Sequence, residues 1–459
     1  MRRKNKFVPA LMVLPYFLLM LFCSIVPVIY GILEVPKPSF VNLTGGYDTF
    51  FKVLQDFRLM PALINILFLL LIFVPLMILT VLVISLLMDS VEIRGNGVMR
   101  MIFLIPALIP SGVAVLFWFA LVGPDVIWDS SNIRWFIGGI IFSTGIGGWI
   151  VIQYGSLRSI SEEILEAGVV DGCNRFQLAW RLKIPLITRY IAYMAILLVV
   201  NAIQIFTEPN LLLNSALIKI SLWLLTFLAA IPLWWLLQNM RDIDLAAIAN
   251  YQEGIVFRWL RETAFFVLSA LILAVTTSVT AGFALAVLDV PFRRSLLFLT
   301  LVTMLIPVTA LAMPLYVMVD KIGLNDNILG LILASAYFPF GAFLSYLYFS
   351  ASLPVDLIGM GRIDGLGDLG IYRHLGLPLA KSLIGLVTFF SFISLWGSSH
   401  LPRVLLTDPT QSILSIGIEA FFNQGSALIA LLMIIPSITL YLIAQRSIAR
   451  GIFSGAVKE

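Results

Sequence analysis

SEEILEAGVVDGCNRFQLAWRLKIPL, residues 161–186, and PVDLIGMGRIDGLGDLGIYRHLGLPL, residues 354–379, are two versions of one segment. At a constant offset of 193 residues Ser159 pairs with Ser352, Glu163 with Asp356, Gly168 with Gly361, Asp171 with Asp364 and Gly172 with Gly365. Leu182, Pro185 and Leu186 pair in the same way with Leu375, Pro378 and Leu379. Chance can match one Asp-Gly pair, but not this whole set of columns in one register, so the chain carries an internal repeat. Each copy is polar, with helix-forming stretches on both sides of its Asp-Gly, where glycine lets the backbone turn at little steric cost. The pattern predicts a helix, a sharp turn at Gly172 or Gly365, and a second helix ending near the proline, a shape that can press against a soluble partner.

What flanks these segments decides the solvent. Of 459 residues 60% are hydrophobic and only 12% charged, with a mean hydropathy of +1.03. A water-soluble domain carries about a quarter charged residues, so the bilayer is the medium. Apolar runs long enough to cross it, about 20 residues each, lie near 8–31, 62–88, 99–122, 135–155, 189–207, 216–238, 263–288, 295–319, 328–350, 382–400 and 424–445. The fold expected is therefore all-α and polytopic, with 11 to 12 transmembrane spans. The first run follows Arg2, Arg3, Lys4 and Lys6 but has a longer core than a signal peptide and no convincing small-residue cleavage site, so it reads as a retained span.

The net charge of +4 is no nucleic-acid footprint, because Lys and Arg sit in short loops rather than on one basic face. Cys23 and Cys173 imply no disulfide framework. His374 and His400 are too far apart for a metal cluster and read as solvated loop residues. Upstream of each polar segment a basic loop precedes a proline-interrupted span: Arg94 and Arg100 before Pro106, and Arg293 and Arg294 before Pro307. Proline in a span kinks the helix, which suits a cavity wall or a packing bend equally.

The spacing of Glu166, Ala167, Gly168, Asp171, Gly172 and Pro185 resembles the "EAA" loop of binding-protein-dependent ABC importer permeases. In the second half ANYQEGIVFRWL, KIGLNDNILGLILASAYFPFGAFL, LPRVLLTDPTQSILSIGIEAFF and QRSIARGIFSGAVKE are similar to the smaller permease of carbohydrate importers. The first half resembles the larger one through NLTGGYDTFFKVLQD, FLIPALIPSGVAVLFW and IQIFTEPNLLL. The resemblance implies two tandem type I importer permease domains, 1–210 with docking loop 157–188 and 211–459 with docking loop 351–381. It also implies a bacterial or archaeal plasma membrane and an extracytoplasmic solute-binding protein that delivers a small-molecule substrate. The partner that supplies energy is an ABC ATPase dimer, which binds ATP and Mg in its own subunits and leaves this chain without a cofactor. No GxxxxGK[ST] phosphate loop occurs in the sequence, consistent with energy supplied in trans.

Gly361, Asp364, Gly365 and Pro378 stand at the motif positions of the second loop, but Gly359 replaces the usual glutamate and Met360 the usual alanine. Either the second dock is weaker, or its complementary charge comes from Asp356 and Asp364. Fusion of two permeases in one chain is also common among iron and thiamine importers, which stand as the alternative within the class.

With both loops in the cytosol, 19 of the 29 Lys and Arg fall inside, in agreement with the positive-inside rule. The parity fails, however: both ends and both loops should be cytosolic, and eleven spans is an odd number. The discrepancy falls after Glu208, where a short crossing near 207–220 or the loss of a span would account for it.

Polar side chains within spans face a cavity or a neighbouring helix. Asn201, Gln204 and Glu208 follow i, i+3 and i+7 on one helical face, and Ser391, Ser394 and Ser398 repeat that spacing. Both sets are candidates for the pathway lining, with interhelical hydrogen bonding as the competing role. Trp135, Trp234 and Trp235 sit near span ends as interface anchors, and Trp223 lies deeper. A secondary transporter would need titratable groups within its spans, where carboxylates are essentially absent, and a membrane enzyme would need a clustered His, Cys or acid set.

Overall fold

The computed structural model describes residues 7–34, 37, 51, 54–55, 59–90, 133–158, 160–203, 254–407, 412–417, 433–440 and 443. The runs expected at 99–122 and 216–238, and with them Pro106, Gln204, Glu208, Trp223, Trp234 and Trp235, lie outside the described residues. So does the stretch in which the parity discrepancy falls.

Within these limits the chain is helical, as a long apolar sequence must be where only an internal partner can satisfy its backbone polar groups. Four helices are each long and apolar enough to span a bilayer: α1 (Phe7–Glu34), α2 (Leu63–Ser90), α7 (Ile255–Val287) and the stretch Ile328–Ser350. Alongside α2 runs α3 (Ile133–Arg158). Short helices α4 (Glu162–Val170) and α5 (Arg175–Leu186) lead into α6 (Thr188–Ile203). The second half continues with α8 (Arg293–Leu305), α9 (Val308–Lys321), α10 (Ile328–Ser335) and α11 (Pro339–Ser352). It then repeats the short pair as α12 (Val355–Ile363) and α13 (Asp368–Leu379) before α14 (Lys381–Trp396) and α15 (His400–Leu405).

The repeat extends well beyond the polar segments. Helices α4 and α12 each have 9 residues and start 193 positions apart, and α6 and α14 each have 16 and do the same. Within the spans, Ser85 of α2 and Ser278 of α7 stand in this register, both fully buried. Ser85 donates to the Ile150 carbonyl of α3 at 3.4 Å, and Ser278 to the Phe338 carbonyl at the start of α11 at 3.0 Å. In each half, then, one long span is pinned to a parallel neighbour by a buried hydroxyl.

Close approach makes this pairing possible in the second half. A Cβ on Gly282 would lie 2.3 Å from Ser345 Cβ, 2.8 Å from Tyr346 N and 2.9 Å from the Ala342 carbonyl oxygen. Glycine is what lets the two backbones meet there.

Proline sets the largest bend. Pro307 stands between α8 and α9, which meet at 103°, because its ring excludes the preceding residue from the helical region.

The first span does not pack where chain order would place it. Met12 and Val13 of α1 sit among Val279, Phe283 and Phe349 of the second half. Further along, Tyr16 donates to Thr300 Oγ1 at 3.2 Å and lies 3.4 Å from the Tyr337 hydroxyl, which in turn bonds Thr303 Oγ1 at 2.7 Å. Cys23 Sγ donates to the Leu333 carbonyl at 3.4 Å. The opposite stripe of α1, with Leu11, Leu14 and Leu18, is exposed, as are Leu67, Leu71, Leu79, Val83 and Leu87 of the α2 region. Apolar exposure on this scale fits lipid contact.

Candidate functional site

The two polar segments fold into the same device. Helix α4 ends at Val170 with Asp171 as its cap, and Gly172 takes a left-handed conformation at φ +82. The Cys173 amide bonds back to the Gly168 carbonyl at 3.0 Å, and the Gly172 amide to the Val169 carbonyl at 3.0 Å. In the second copy Gly365 has φ +84, with Leu366 N to Gly361 O at 2.9 Å and Gly365 N to Arg362 O at 3.1 Å. This is the Schellman arrangement, which satisfies the last carbonyls of a helix and requires a residue tolerant of positive φ. The Asp-Gly pair is thus explained by backbone geometry.

The two short helices then fold onto each other. A Cβ on Gly168 would come 2.5 Å from Leu182 Cδ1 and 2.9 Å from Leu178 Cδ1, and one on Gly361 3.0 Å from Leu375 Cδ1. Their second helices start differently. Asn174 and Gln177 form a reciprocal capping box, Gln177 N to Asn174 Oδ1 at 2.8 Å and Asn174 N to Gln177 Oε1 at 3.0 Å. Asp368, in the first turn of α13, is instead held by an ion pair with Arg362.

The second helix ends one residue past its proline, at Leu186 and at Leu379, in line with the expected end near it. Pro185 and Pro378 lie inside α5 and α13, and a π-helical turn, Leu178–Lys183 or Tyr372–Gly376, precedes each. A proline lacks the amide for the i to i−4 bond, and the wider turn upstream accommodates the misfit. The chain then bends by 72° into the first following span and by 77° into the second.

Outward from the turn the two copies present apolar tips at the same positions. Val170 and Ile363 are each 86% exposed, and Phe176 and Leu369 are 75% and 51% exposed. Around them the surfaces differ. Val169 and Trp180 of the first copy are replaced in register by Arg362 and Arg373 in the second, all four exposed. Glu166 and Ala167 are exposed, and so are Met360, Asp356 and Asp364. Open space surrounds the Cβ direction of Gly359, so no steric demand explains the missing acid.

Each device is fastened to a long span. Lys183, in the first π-turn, forms an ion pair with Asp89 near the end of α2, their side chains only 13% and 6% exposed. In the second copy the Tyr372 hydroxyl meets Thr280 Oγ1 of α7 at 2.9 Å, and Gly376 lies against Phe283. Burial raises the Tyr372 phenol above its ordinary range, with the Thr280 bond opposing. Sequence reading missed the ion pair, although Asp89 is the sole charged side chain of α2.

The candidate pathway residues separate. Asn201 and Ser394, in register, are both exposed, whereas Ser391 is buried among side chains at 1%. Ser398 lies beyond the end of α14 at Trp396, so it cannot share a helical face with the other two; its carbonyl accepts a bond from Ser415 Oγ at 2.6 Å. Trp135 is 40% exposed and stacks edge-on with Phe68. His374 is exposed as expected, but His400 is half-buried, and burial, followed by the nearby Arg403 charge, lowers its pKa.

Residues 278–454 match the family described as "Binding-protein-dependent transport system inner membrane component". Among curated relatives, the diacetylchitobiose uptake system permease protein NgcG of Streptomyces coelicolor is 31% identical over 202 residues, covering 42% of this chain and 67% of that protein. The melibiose/raffinose/stachyose import permease protein MelC of Bacillus subtilis is 28% identical over 198 residues, 41% of this chain and 71% of its own length. The sn-glycerol-3-phosphate transport system permease protein UgpE of Escherichia coli is 24% identical over 272 residues, 54% and 96% of the two chains.

Proposed function

The chain belongs to the family of binding-protein-dependent transport system inner membrane components, and from that premise we propose that it is a fused pair of permease halves that carries sugars or oligosaccharides across a bacterial or archaeal plasma membrane. As a permease component it is a multi-pass translocation subunit and not an enzyme. In this reading 1–210 and 211–459 are the two halves, and the loops 157–188 and 351–381 each receive one subunit of an ATPase dimer that binds ATP and Mg. An extracytoplasmic solute-binding protein delivers the substrate.

The observation that carries the reading is the duplicated device itself: two Schellman turns at Gly172 and Gly365, 193 residues apart, each fastened to a long span and each presenting two apolar tips outward. Closure of the ATPase dimer draws the tips together, and the fastened spans tilt with them. Solute and ATP then bias the same two-state element, which is alternating access. The sugar class rests on the relatives whose names specify diacetylchitobiose and melibiose, raffinose and stachyose. Asn201 and Ser394, exposed at equivalent positions of the repeat, offer the paired donors and acceptors that suit a neutral polyol.

The test is ATP hydrolysis by the reconstituted permease and ATPase, stimulated by the cognate binding protein and screened against oligosaccharides and ferric iron. Stimulation by an oligosaccharide is expected. Stimulation by iron alone would overturn the sugar assignment, and hydrolysis indifferent to every solute would overturn the importer reading.

A further inference from the structure

The ion pair between Lys183 and Asp89 joins two segments that are 94 positions apart in the chain and meet where the polar loop touches the membrane-spanning bundle. Lys183 closes the π-turn Leu178–Lys183, immediately before Pro185 and the 72° bend into α6. Asp89 lies at the last turn of α2, a span whose other side chains are uncharged. Both side chains are almost fully covered, at 13% and 6% exposure. A carboxylate and an ammonium withdrawn from water this far hold each other strongly, because separating them leaves an unpaired charge in a medium of low polarity. Surface ion pairs slip freely; this one cannot.

The second half makes the same junction with different chemistry. In the repeat register Lys183 corresponds to Gly376 and Asp89 to Gly282. There a Cβ on Gly376 would come 2.9 Å from Phe283, and Tyr372 bonds Thr280 at 2.9 Å, so contact is made by packing and one neutral hydrogen bond. The junction is therefore common to both halves, while the charge is peculiar to the first.

We infer that Lys183 and Asp89 are positioning residues that transmit movement of the first docking loop to α2, so that the pair couples ATP hydrolysis to opening of the pathway. This rests on the docking role assigned above. A load applied at Val170 and Phe176 enters the loop on either side of the Schellman turn, passes through the Gly168–Leu182 contact, and reaches Lys183 before the chain bends. Through Asp89 it pulls α2 directly, and Ser85 pins α2 to α3, so the two spans move as one unit. Without the pair the load takes the longer route through the bend into α6, whose apolar packing with α2 carries it less directly.

The experiment uses the full permease and ATPase complex in proteoliposomes, with solute transported and ATP hydrolysed measured together per assembled complex. Lys183→Met and Asp89→Asn each should lower solute moved per ATP by about tenfold, within the range of ordinary coupling energies, while hydrolysis continues. Lys183→Arg, which keeps the charge, and the exchange Lys183→Asp with Asp89→Lys, which restores opposite charges, should recover most of the ratio. A wild-type ratio in both neutralised variants would overturn the inference, as would an exchange variant as uncoupled as the single ones. If a neutralised variant does not assemble, the single reversal Lys183→Asp measured against the exchange variant still decides: a lower ratio in the single variant than in the exchange supports the inference, and equal ratios overturn it. Failure of the docking reading shows separately, as wild-type complex in which solute does not stimulate hydrolysis.

Discussion

Gly168 lies against Leu182, close enough that a Cβ on the glycine would stand 2.5 Å from the leucine Cδ1, and in the second copy Gly361 lies against Leu375 with 3.0 Å for the same measure. This contact sets how tightly the two short helices of each polar loop fold together. Valine at Gly168 forces Leu182 and Leu178 to move, at about 1–3 kcal/mol for overpacking, and at Gly361 the cost is lower because the nearest atoms are farther. Hydrogen exchange of the loop amides should show faster opening in Gly168→Val than in Gly361→Val.

At the turn itself the cost is of a different kind. Gly172 and Gly365 have φ +82 and +84 with nothing within 4 Å of a Cβ, so only backbone conformation opposes substitution. A β-branched residue pays about 1–2 kcal/mol in the left-handed region, asparagine much less. Gly172→Val should reduce solute transported per ATP hydrolysed, and Gly172→Asn should retain most of it.

Inside the bilayer Gly282 is a sensitive position. The atoms nearest its missing Cβ include Tyr346 N and the Ala342 carbonyl, which cannot rotate away. Gly282→Ala should push α7 and α11 apart and lower the thermal midpoint in detergent, at a cost of about 2 kcal/mol or more. Gly148→Ala, with open space around it, is the control and should leave the midpoint unchanged or raise it.

His400 predicts an acid limb. Its folded pKa lies below the ordinary value of 6.5, chiefly through burial and then through Arg403. Above that ordinary value both folded and unfolded forms are neutral and its contribution is complete. As pH falls from there through the lowered folded value, the unfolded chain takes up the proton first and stability is lost. Thermal midpoints measured between pH 7.5 and 5 should therefore fall on acidification, and less steeply in His400→Gln.

The two polar loops were legible in the sequence because their fold uses rare residue types: an Asp-Gly turn, a packing glycine and a proline near the end of the second helix. The repeat in the spans was not, since Leu, Ile and Val substitute freely in an apolar medium and erase the register. Only buried groups such as Ser85 and Ser278 keep it. The packing of α1 on the second half, through Tyr16, Thr300 and Tyr337, joins residues about 300 positions apart and leaves no local pattern. The same holds for Lys183 and Asp89. Ser398 departs from the helical face for a simpler reason: α14 ends at Trp396, so the i+7 spacing is not carried by a helix.

The most direct test of the central claim is to place a photoreactive amino acid at Phe176 and, separately, at Leu369, the outward tips of the two loops, and to irradiate the assembled complex during ATP turnover. Capture of the ATPase subunit from both positions is the predicted result. Capture from neither, in a complex that still co-purifies with its ATPase, would contradict the account.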